Sequence, residues 1–331
     1  MKSSNIGGQA VMEGIMMRHG DSYSIAVRKP DQEIEVKVEA YKSFIKNKKL
    51  LSLPIIRGVF NFIDSMVVGT KCLMYSATFF EDEEGEEKKE VSKEERKKQE
   101  EKEAKQEKLI MYGTVAFSVV ISVAIFMLLP YYLTSLLRHF TSSQGILAFV
   151  ESVVRVLIFL LYLALISRMK DIQRTFEYHG AEHKCINCIE HGLELNVENV
   201  MKSSREHKRC GTSFLFFVMI VSAIFLLFIR VDSAIWRVAI RILLLPLIAG
   251  VSYELIRLAG RSDNKLVNLL SKPGLMIQRM STREPDEKEV EVAIVAVEAV
   301  FDWRAYLAEN FEYQYEAEEV SSSEEGYEEI T

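Results

Sequence analysis

Four long apolar segments, separated by charged stretches, constrain the fold of this 331-residue chain more than any other feature. Each is long enough for an α-helix to cross a hydrocarbon core of about 30 Å. Buried helices of a soluble protein can look similar, but four such segments in one chain favour membrane helices. The segments are residues 109–137, 146–166, 213–229 and 234–258. We therefore expect a mainly α, multi-pass helical membrane protein with about four spanning helices.

The distribution of lysine and arginine predicts which side each loop faces. The 138–145 loop and the 230–233 turn hold one basic residue each, whereas the 168–212 loop holds eight. Five more basic residues lie between residues 261 and 283, after the last apolar segment. Because loops rich in Lys and Arg stay in the cytoplasm, we expect the central loop and both termini to be cytoplasmic. The first residues contain no apolar segment of the kind that forms a secretory signal.

The remaining segments predict smaller structures outside the bilayer. Residues 22–40 alternate between apolar and charged side chains, as expected of a small N-terminal β-hairpin. Residues 53–80 are apolar but contain three charges, which favours a helix at the interface or packed on the bundle over a fifth span. Glu284-Pro-Asp286 is typical of a helix start. The predicted units are 1–52 (glycine-rich segment and hairpin), 53–80 (helix), 81–108 (charged linker), 109–166 and 213–258 (paired spans), 167–212 (cytoplasmic Cys/His loop), 259–308 (C-terminal segment with a helix) and 309–331 (acidic disordered tail).

Charge patterning excludes some partners and allows others. The net charge is −6, and no basic surface of the nucleic-acid-binding kind is evident. Residues 81–108 are charged at 22 of 28 positions, so they form a solvated helix or a disordered linker. The last twenty residues hold eight acidic side chains and no basic one. We expect the lipid bilayer as a partner, with protein partners able to use the charged arm and the acidic tail.

Seven of the ten cysteines and histidines lie between residues 179 and 210, within the most basic loop. Thiols stay reduced in the cytoplasm, where such a cluster more often binds a metal than forms disulfides. The alternative without a metal is a set of ordinary polar loop residues near acidic lipid headgroups. Two metal sites can be drawn from the same window.

The first interpretation takes His179-x-x-Glu182-His183 as the centre of the site. Residues four apart share a helix face, so both imidazoles can reach one ion. The pattern is also that of inverted zincins, although no distal glutamate ligand can be assigned. His207 and Cys210 supply further donors, and imidazole and thiolate together favour zinc.

The second interpretation takes Cys185-x-x-Cys188 together with His207-x-x-Cys210. This spacing suits a closed, four-ligand structural zinc site. Such a site staples the loop and performs no chemistry. By spacing alone it is the stronger of the two.

At these residues the chain resembles the YqhQ-like family of uncharacterised bacterial membrane proteins, which are catalogued as predicted metal-dependent enzymes. The resemblance covers roughly residues 5–305 and implies a bacterial cell membrane. It rests on GGQAVMEGIMMR at 7–18, EYHGAEHK at 177–184, HKRCGTSF at 207–214 and the Glu-Pro-Asp of the last helix. The family pattern features His179, Glu182, His183, His207 and Cys210, lacks Cys185 and includes Cys188 less firmly. It therefore favours the first site, although Lys208 stands where the family commonly has proline.

Two functions remain open at this point. One is a zinc-type hydrolase at the cytoplasmic membrane face, in which Glu182 acts as general base on a water and the substrate is lipid-linked or a membrane peptide. In that case we expect the glycine-rich segment, with Glu13 and Arg18, to fold over the site. The other is a non-enzymatic membrane scaffold or transporter with a structural metal. No nucleophile triad, phosphate loop or cofactor fingerprint accompanies either function.

Overall fold

The computed structural model describes residues 2–43, 52–80, 109–110, 112–228, 234–261 and 264–311. Within these ranges the chain is mainly helical, as predicted, with one small antiparallel sheet at its N-terminal end. The charged linker predicted at 81–108 and the acidic tail from 312 onward lie outside the described residues.

Four strands form the N-terminal sheet, in the order β1-β2-β3-β4 with every pair antiparallel. The predicted hairpin corresponds to β3 and β4, but the glycine-rich segment before it adds two strands that were not predicted. The turn between them places Glu13 at φ 45°. The strands are β1 Gly7–Val11, β2 Gly14–His19, β3 Ser22–Arg28 and β4 Ile34–Ala40.

Burial on both faces explains why the second strand escaped prediction. Ile15 and Met17 point into one core, against two helices described below, whereas Met16 points into another, against α1 (Ile56–Ala77). A strand covered on both faces reads as a continuous apolar run and loses the period-two pattern. The expectation of a single hairpin was therefore incomplete, and a four-stranded sheet takes its place.

Four helices are long and apolar enough to cross a membrane, as predicted. The predicted limits differ from the observed ones by a few residues. The helices are α2 Tyr112–Ser135, α3 Gln144–Ile166, α6 Gly211–Phe228 and α7 Ala234–Arg261, of which Ala239–Arg261 is the candidate span.

The helix α1 joins the bundle to the sheet. Near its start, Arg57 Nε donates to Glu254 Oε1 of α7 at 2.7 Å, and Gly58 lies against Tyr253. Further along, Cys72 is fully buried in the core that α1 forms with the sheet. These contacts agree with the predicted helix packed on the bundle, and α1 is not among the four candidate spans.

The central loop between α3 and α6 contains two helices, α4 Lys170–Glu190 and α5 Val197–Lys202. The second half of α4, from Tyr178 onward, is almost entirely buried, because it packs on the sheet and on the helices of the C-terminal segment. The long basic loop is therefore a packed element of the fold.

Three helices follow the last span: α8 Lys265–Ser281, α9 Glu287–Glu298 and α10 Trp303–Phe311. The predicted start of α9 is confirmed, since Asp286 caps it in a capping box with Glu289. Helix α9 packs on α4 and on the central strands. Helix α8 was not predicted, and it packs on α6 beside the Cys/His window.

Candidate functional site

The helix α4 brings two histidines to one face, and the start of α6 brings Cys210 to the same place. His179 Nε2 lies 3.2 Å from Cys210 Sγ, and the rings of His179 and His183 are 4.4 Å apart. One donor atom from each of the three residues falls within 4.8 Å of the other two. Nitrogen and sulfur ligands about 2.0–2.3 Å from a zinc ion have a comparable mutual spacing.

Backbone carbonyls orient both imidazoles toward this cluster. His179 Nδ1 donates to the carbonyl oxygen of Ser281 at 2.8 Å, and His183 Nδ1 donates to that of Arg205 at 2.7 Å. A carbonyl oxygen only accepts, so each Nδ1 carries a proton and each Nε2 is left to bind a metal. Metal-binding histidines in proteins are held by this kind of outer contact.

Side chains of α4 fix the loop that provides one of these carbonyls. Lys184 Nζ donates to the carbonyl oxygens of Met201 and Ser203, both at 2.9 Å. Asn187 Nδ2 donates to those of Ser204 and Glu206, at 2.6 and 2.9 Å. The helix therefore positions His183 and also its hydrogen-bond acceptor.

Glu182 faces the same cavity from α4, beneath the N-terminal strand. The cavity measures about 120 Å³, and Gly8, Glu182 and the three donor residues line it. The backbone N–H of Gly8 donates to Glu182 Oε1 at 3.1 Å. A Cβ on Gly8 would lie 2.9 Å from Glu182 Cγ and 2.7 Å from the Met16 carbonyl oxygen. Only glycine lets the strand approach this closely.

The charges around the cluster favour a thiolate at Cys210. Burial works against its ionisation, but His179 and His183 outweigh that and hold the pKa of Cys210 well below its usual value. Burial by itself lowers the pKa of His179, but the neighbouring Cys210 raises it to about 9. Thiolate is the form of cysteine that binds metals, and zinc would replace the imidazole proton between the two side chains.

The pKa of Glu182 lies above its usual value, because burial opposes the charged form. Its neighbours His179 and His183 act in the opposite direction. A carboxylate with a raised pKa is better suited to exchange protons with a reacting water than one with the usual pKa.

His207 lines the cavity but is engaged elsewhere. Its Nε2 lies 3.5 Å from Glu190 Oε2, and its ring centroid is 5.7 Å from that of His183. Gln278 of α8 holds its backbone, accepting from the His207 N–H at 2.8 Å and donating to its carbonyl oxygen at 3.0 Å. His207 is therefore not one of the three residues whose donor atoms converge.

Cys185 and Cys188 lie apart from the cluster. Both thiols are buried in the core that α4 forms with α9 and the sheet. The thiol of Cys188 donates to the Glu194 carbonyl oxygen at 3.3 Å. Burial raises the pKa of Cys185 well above its usual value and that of Cys188 to about 11. Within the described residues the geometry favours the first of the two proposed ligand sets.

Glu13 and Arg18 lie outside the cavity, although their segment covers it. Glu13 accepts from Arg174 Nε at 3.1 Å and from the Tyr178 hydroxyl at 3.3 Å. The Arg18 guanidinium stacks on Tyr41, 3.3 Å from the ring centroid. The cover consists instead of the backbone at residues 6–8.

Several residues that support the site were not predicted. For those on α4, the spacing in the sequence could have identified them. His179, His183, Asn187 and Glu190 follow a 4-4-3 spacing, so a helix places all four on one side. No such spacing pointed to Gln278 or Ser281 of α8. Gly180 was missed as well: a Cβ there would lie 2.0 Å from the Arg283 carbonyl oxygen, so glycine is needed for the 282–285 segment to cross α4.

Comparisons with known proteins agree with the resemblance seen in the motifs. Residues 53–303 match the family described as "Protein of unknown function (DUF1385)". A relative from Bacillus subtilis (strain 168), "Uncharacterized protein YqhQ", is 34% identical over 309 residues, covering 92% of this chain and 94% of the relative. No solved structure matches the chain.

Proposed function

The chain belongs to the DUF1385 family, and we propose that it is a zinc-type, metal-dependent hydrolase working at the cytoplasmic face of a bacterial membrane. One observation carries the proposal: His179, His183 and Cys210 converge in a small cavity that Glu182 also lines. Three protein ligands leave a fourth position open, which is the arrangement of catalytic zinc sites, whereas structural sites are closed by four ligands.

Each side chain has a role in this proposal. A bound zinc ion lowers the pKa of water and polarises a carbonyl or phosphoryl oxygen. Glu182 accepts the proton of the attacking water and later passes it to the leaving group. The Gly8 N–H, which donates to Glu182 at 3.1 Å, holds the carboxylate in place. Ser281 and Arg205 keep the two histidines aimed at the ion.

The location of the site supports a substrate that reaches it from the membrane. Cys210 immediately precedes α6, so the cavity lies where a candidate span ends. Helix α8 carries an apolar face that is exposed at Leu266, Leu269 and Met276, beside basic residues, as interfacial helices do. A lipid-linked molecule or a membrane peptide would present its polar group at this height.

Contacts among the elements outside the candidate spans support placing them all on the same side of the membrane. The sheet, α4 and α9 form one core, and two candidate spans separate each from the next along the chain. If α1 also crossed the membrane, the sheet and α4 would lie on opposite sides of it. That arrangement is incompatible with their direct contact. The basic residues near these elements favour the cytoplasm for this side.

We predict that a membrane-impermeant maleimide will label Ser142→Cys in intact cells and Lys202→Cys only after lysis. Both positions are exposed, the first between α2 and α3 and the second at the C-terminal end of α5. The four native cysteines are buried and give a low background. Labelling of Lys202→Cys in intact cells would place the site outside the cell and contradict the proposal.

The hydrolase itself is tested with Glu182→Gln. We expect this variant to purify with the same zinc content as the wild type, because Glu182 is not a ligand. In cells, however, it should match a deletion strain when lipid extracts and membrane peptides are profiled, since the uncleaved substrate accumulates in both. The loss of activity should be at least about 100-fold, as for removal of a general base.

A structural metal predicts a different pattern for the same variant. Glu182→Gln cells would then have the profile of the wild type, while loss of a ligand would still reduce the amount of folded protein. That result, or a wild-type protein that never contains near-stoichiometric metal, would overturn the hydrolase proposal and favour a membrane scaffold or transporter.

A further inference from the structure

A second cavity lies among the four candidate spans. It measures about 390 Å³, a size common for ligand sites, and its walls are almost entirely apolar. All four spans contribute, for instance Phe126 of α2, Phe159 of α3 and Met219 of α6. It shares no residue with the zinc site.

Two arginines line this apolar cavity, and one carboxylate faces both of them. Arg155 Nη2 donates to Glu151 Oε1 at 3.1 Å, and Arg241 Nη2 donates to Glu151 Oε2 at 2.8 Å. Arg155 also donates to the Ser222 hydroxyl at 2.5 Å. Apart from Glu151, the four helices contain a single acidic residue, Glu254, which pairs with Arg57 near the end of α7.

The cluster is thus short of one negative charge. Two guanidinium groups and one carboxylate leave a net charge of +1, and the Nε atoms of both arginines have no hydrogen-bond acceptor among the described residues. Arg241 is 7% exposed and Glu151 is 5% exposed. A buried cation in an apolar span is costly, so an unbalanced one marks a functional site.

The shape of the cavity indicates that its ligand has a hydrocarbon part as well as a charged part. Helix direction puts the charged cluster in the N-terminal halves of α3 and α7, because Arg155 reaches back one turn to Glu151. Phe159, Tyr162 and Ile248 continue the cavity toward the C-terminal halves of these helices without further charge. Tyr162, Leu215 and Leu245 line it and are 42–44% exposed, so it opens sideways between the helices.

Two spans are irregular where they border this cavity. Helix α2 contains a π-helical turn at Ala124–Leu128, and α7 contains Pro246, which lies in the chain between the lining residues Leu245 and Ile248. Turns of the π type occur frequently at functional sites, and a proline inside a helix leaves a backbone carbonyl unpaired.

We propose that this cavity binds one anionic phospholipid of the surrounding bilayer, with its phosphate at Arg155 and Arg241 and one acyl chain along the apolar walls. The phosphate supplies the missing negative charge beside the two arginines that line the cavity. Arginine is suited to this role because its planar fork pairs with phosphate oxygens. The second acyl chain stays in the bilayer through the lateral opening.

The test is native mass spectrometry of the full-length protein in detergent, titrated with phosphatidylglycerol or with phosphatidylcholine of the same chain length. We expect a one-to-one complex with phosphatidylglycerol and binding of phosphatidylcholine that is at least about tenfold weaker. Arg241→Gln should weaken phosphatidylglycerol binding by a similar factor. Met219→Trp, which fills the cavity and leaves the charges in place, should weaken it too.

A matched control lies on the same helix. Arg261 is exposed at the far end of α7, and Arg261→Gln should leave the one-to-one complex unchanged. Equal binding of both lipids, undiminished binding by Met219→Trp, or replacement of the phospholipid by a free fatty acid at equal concentration would overturn the proposal. If Arg241→Gln does not fold, Met219→Trp still decides the outcome.

Discussion

Changing Cys210 to serine is expected to abolish binding of the proposed zinc ion. Its sulfur lies 3.2 Å from His179 Nε2, and it is the sole thiolate of the three converging donors. Loss of an outer-shell partner already costs about 10–100-fold in metal affinity, so loss of a direct ligand should cost more than about 100-fold. Metal analysis of the purified variant measures this directly.

Cobalt substitution gives a second readout of the same ligand. The wild-type protein loaded with Co²⁺ should show a sulfur-to-metal charge-transfer band, and Cys210→Ser should lack it. Cys188→Ser is the matched control, because that thiol is also buried but donates a hydrogen bond to a backbone carbonyl. A serine hydroxyl can make the same hydrogen bond. If Cys188→Ser loses the metal and Cys210→Ser keeps it, the site has been assigned to the wrong ligands.

Among substitutions of residues other than the proposed metal ligands, Glu190→Ala is expected to lower the free energy of unfolding the most. This carboxylate is fully buried and accepts from the N–H and the hydroxyl of Ser4, both at 2.8 Å, and from Arg209. Burial by itself would raise the pKa of Glu190, but His207 and Arg209 outweigh it and lower that pKa to about 2. Removing one partner of a buried ion pair typically costs about 3–5 kcal/mol.

The free energy of unfolding in detergent, followed by denaturant titration, measures this loss. Glu198→Ala is the matched control: its carboxylate pairs with Lys202 on the surface, where an ion pair contributes little to stability because solvent screens it. We expect Glu190→Ala also to loosen the N-terminal segment that covers the proposed zinc site, seen as faster proteolysis near residues 2–8. Equal stability of the two variants would show that the buried network is not needed to hold that segment.

These two predictions concern one assembly of distant segments. Ser4 and Gly8 reach α4 from the N-terminus, and Arg209 and Cys210 reach it from the start of α6. The same contacts that close the cavity also stabilise the fold. A variant that weakens the cover should therefore affect both metal retention and unfolding, in proportion to the contacts that it removes.

Part of the site was predictable because local geometry is periodic. Residues 179 and 183 are four apart, and any helix brings them to one face. The long apolar segments predicted the spans for a similar reason, since length and composition alone decide whether a helix can cross a bilayer. The capping residues of α9 were equally local, because a capping box involves only residues 286–289.

Other parts depended on contacts that no local pattern encodes. The spacing of Cys185 and Cys188 favoured a four-ligand site of three cysteines and one histidine. Both side chains, however, point into the core. His207 belonged to the predicted ligands, yet Glu190 engages its ring. Helix α8, whose Gln278 and Ser281 support the site, could not be linked to it from sequence.

The sequence by itself determined the helical membrane class, the four spans and the pair of histidines on one helical face, because each depends on periodicity or composition within one segment. Only the tertiary structure decided that Cys210 lies beside the two histidines, that Gly8 holds Glu182, and that the backbone at residues 6–8 covers the cavity. Those features arise where segments distant in the chain pack together. Their positions depend on how the whole core packs. A segment that is buried on both faces reads as a continuous apolar run, so its sequence does not indicate which neighbours it contacts.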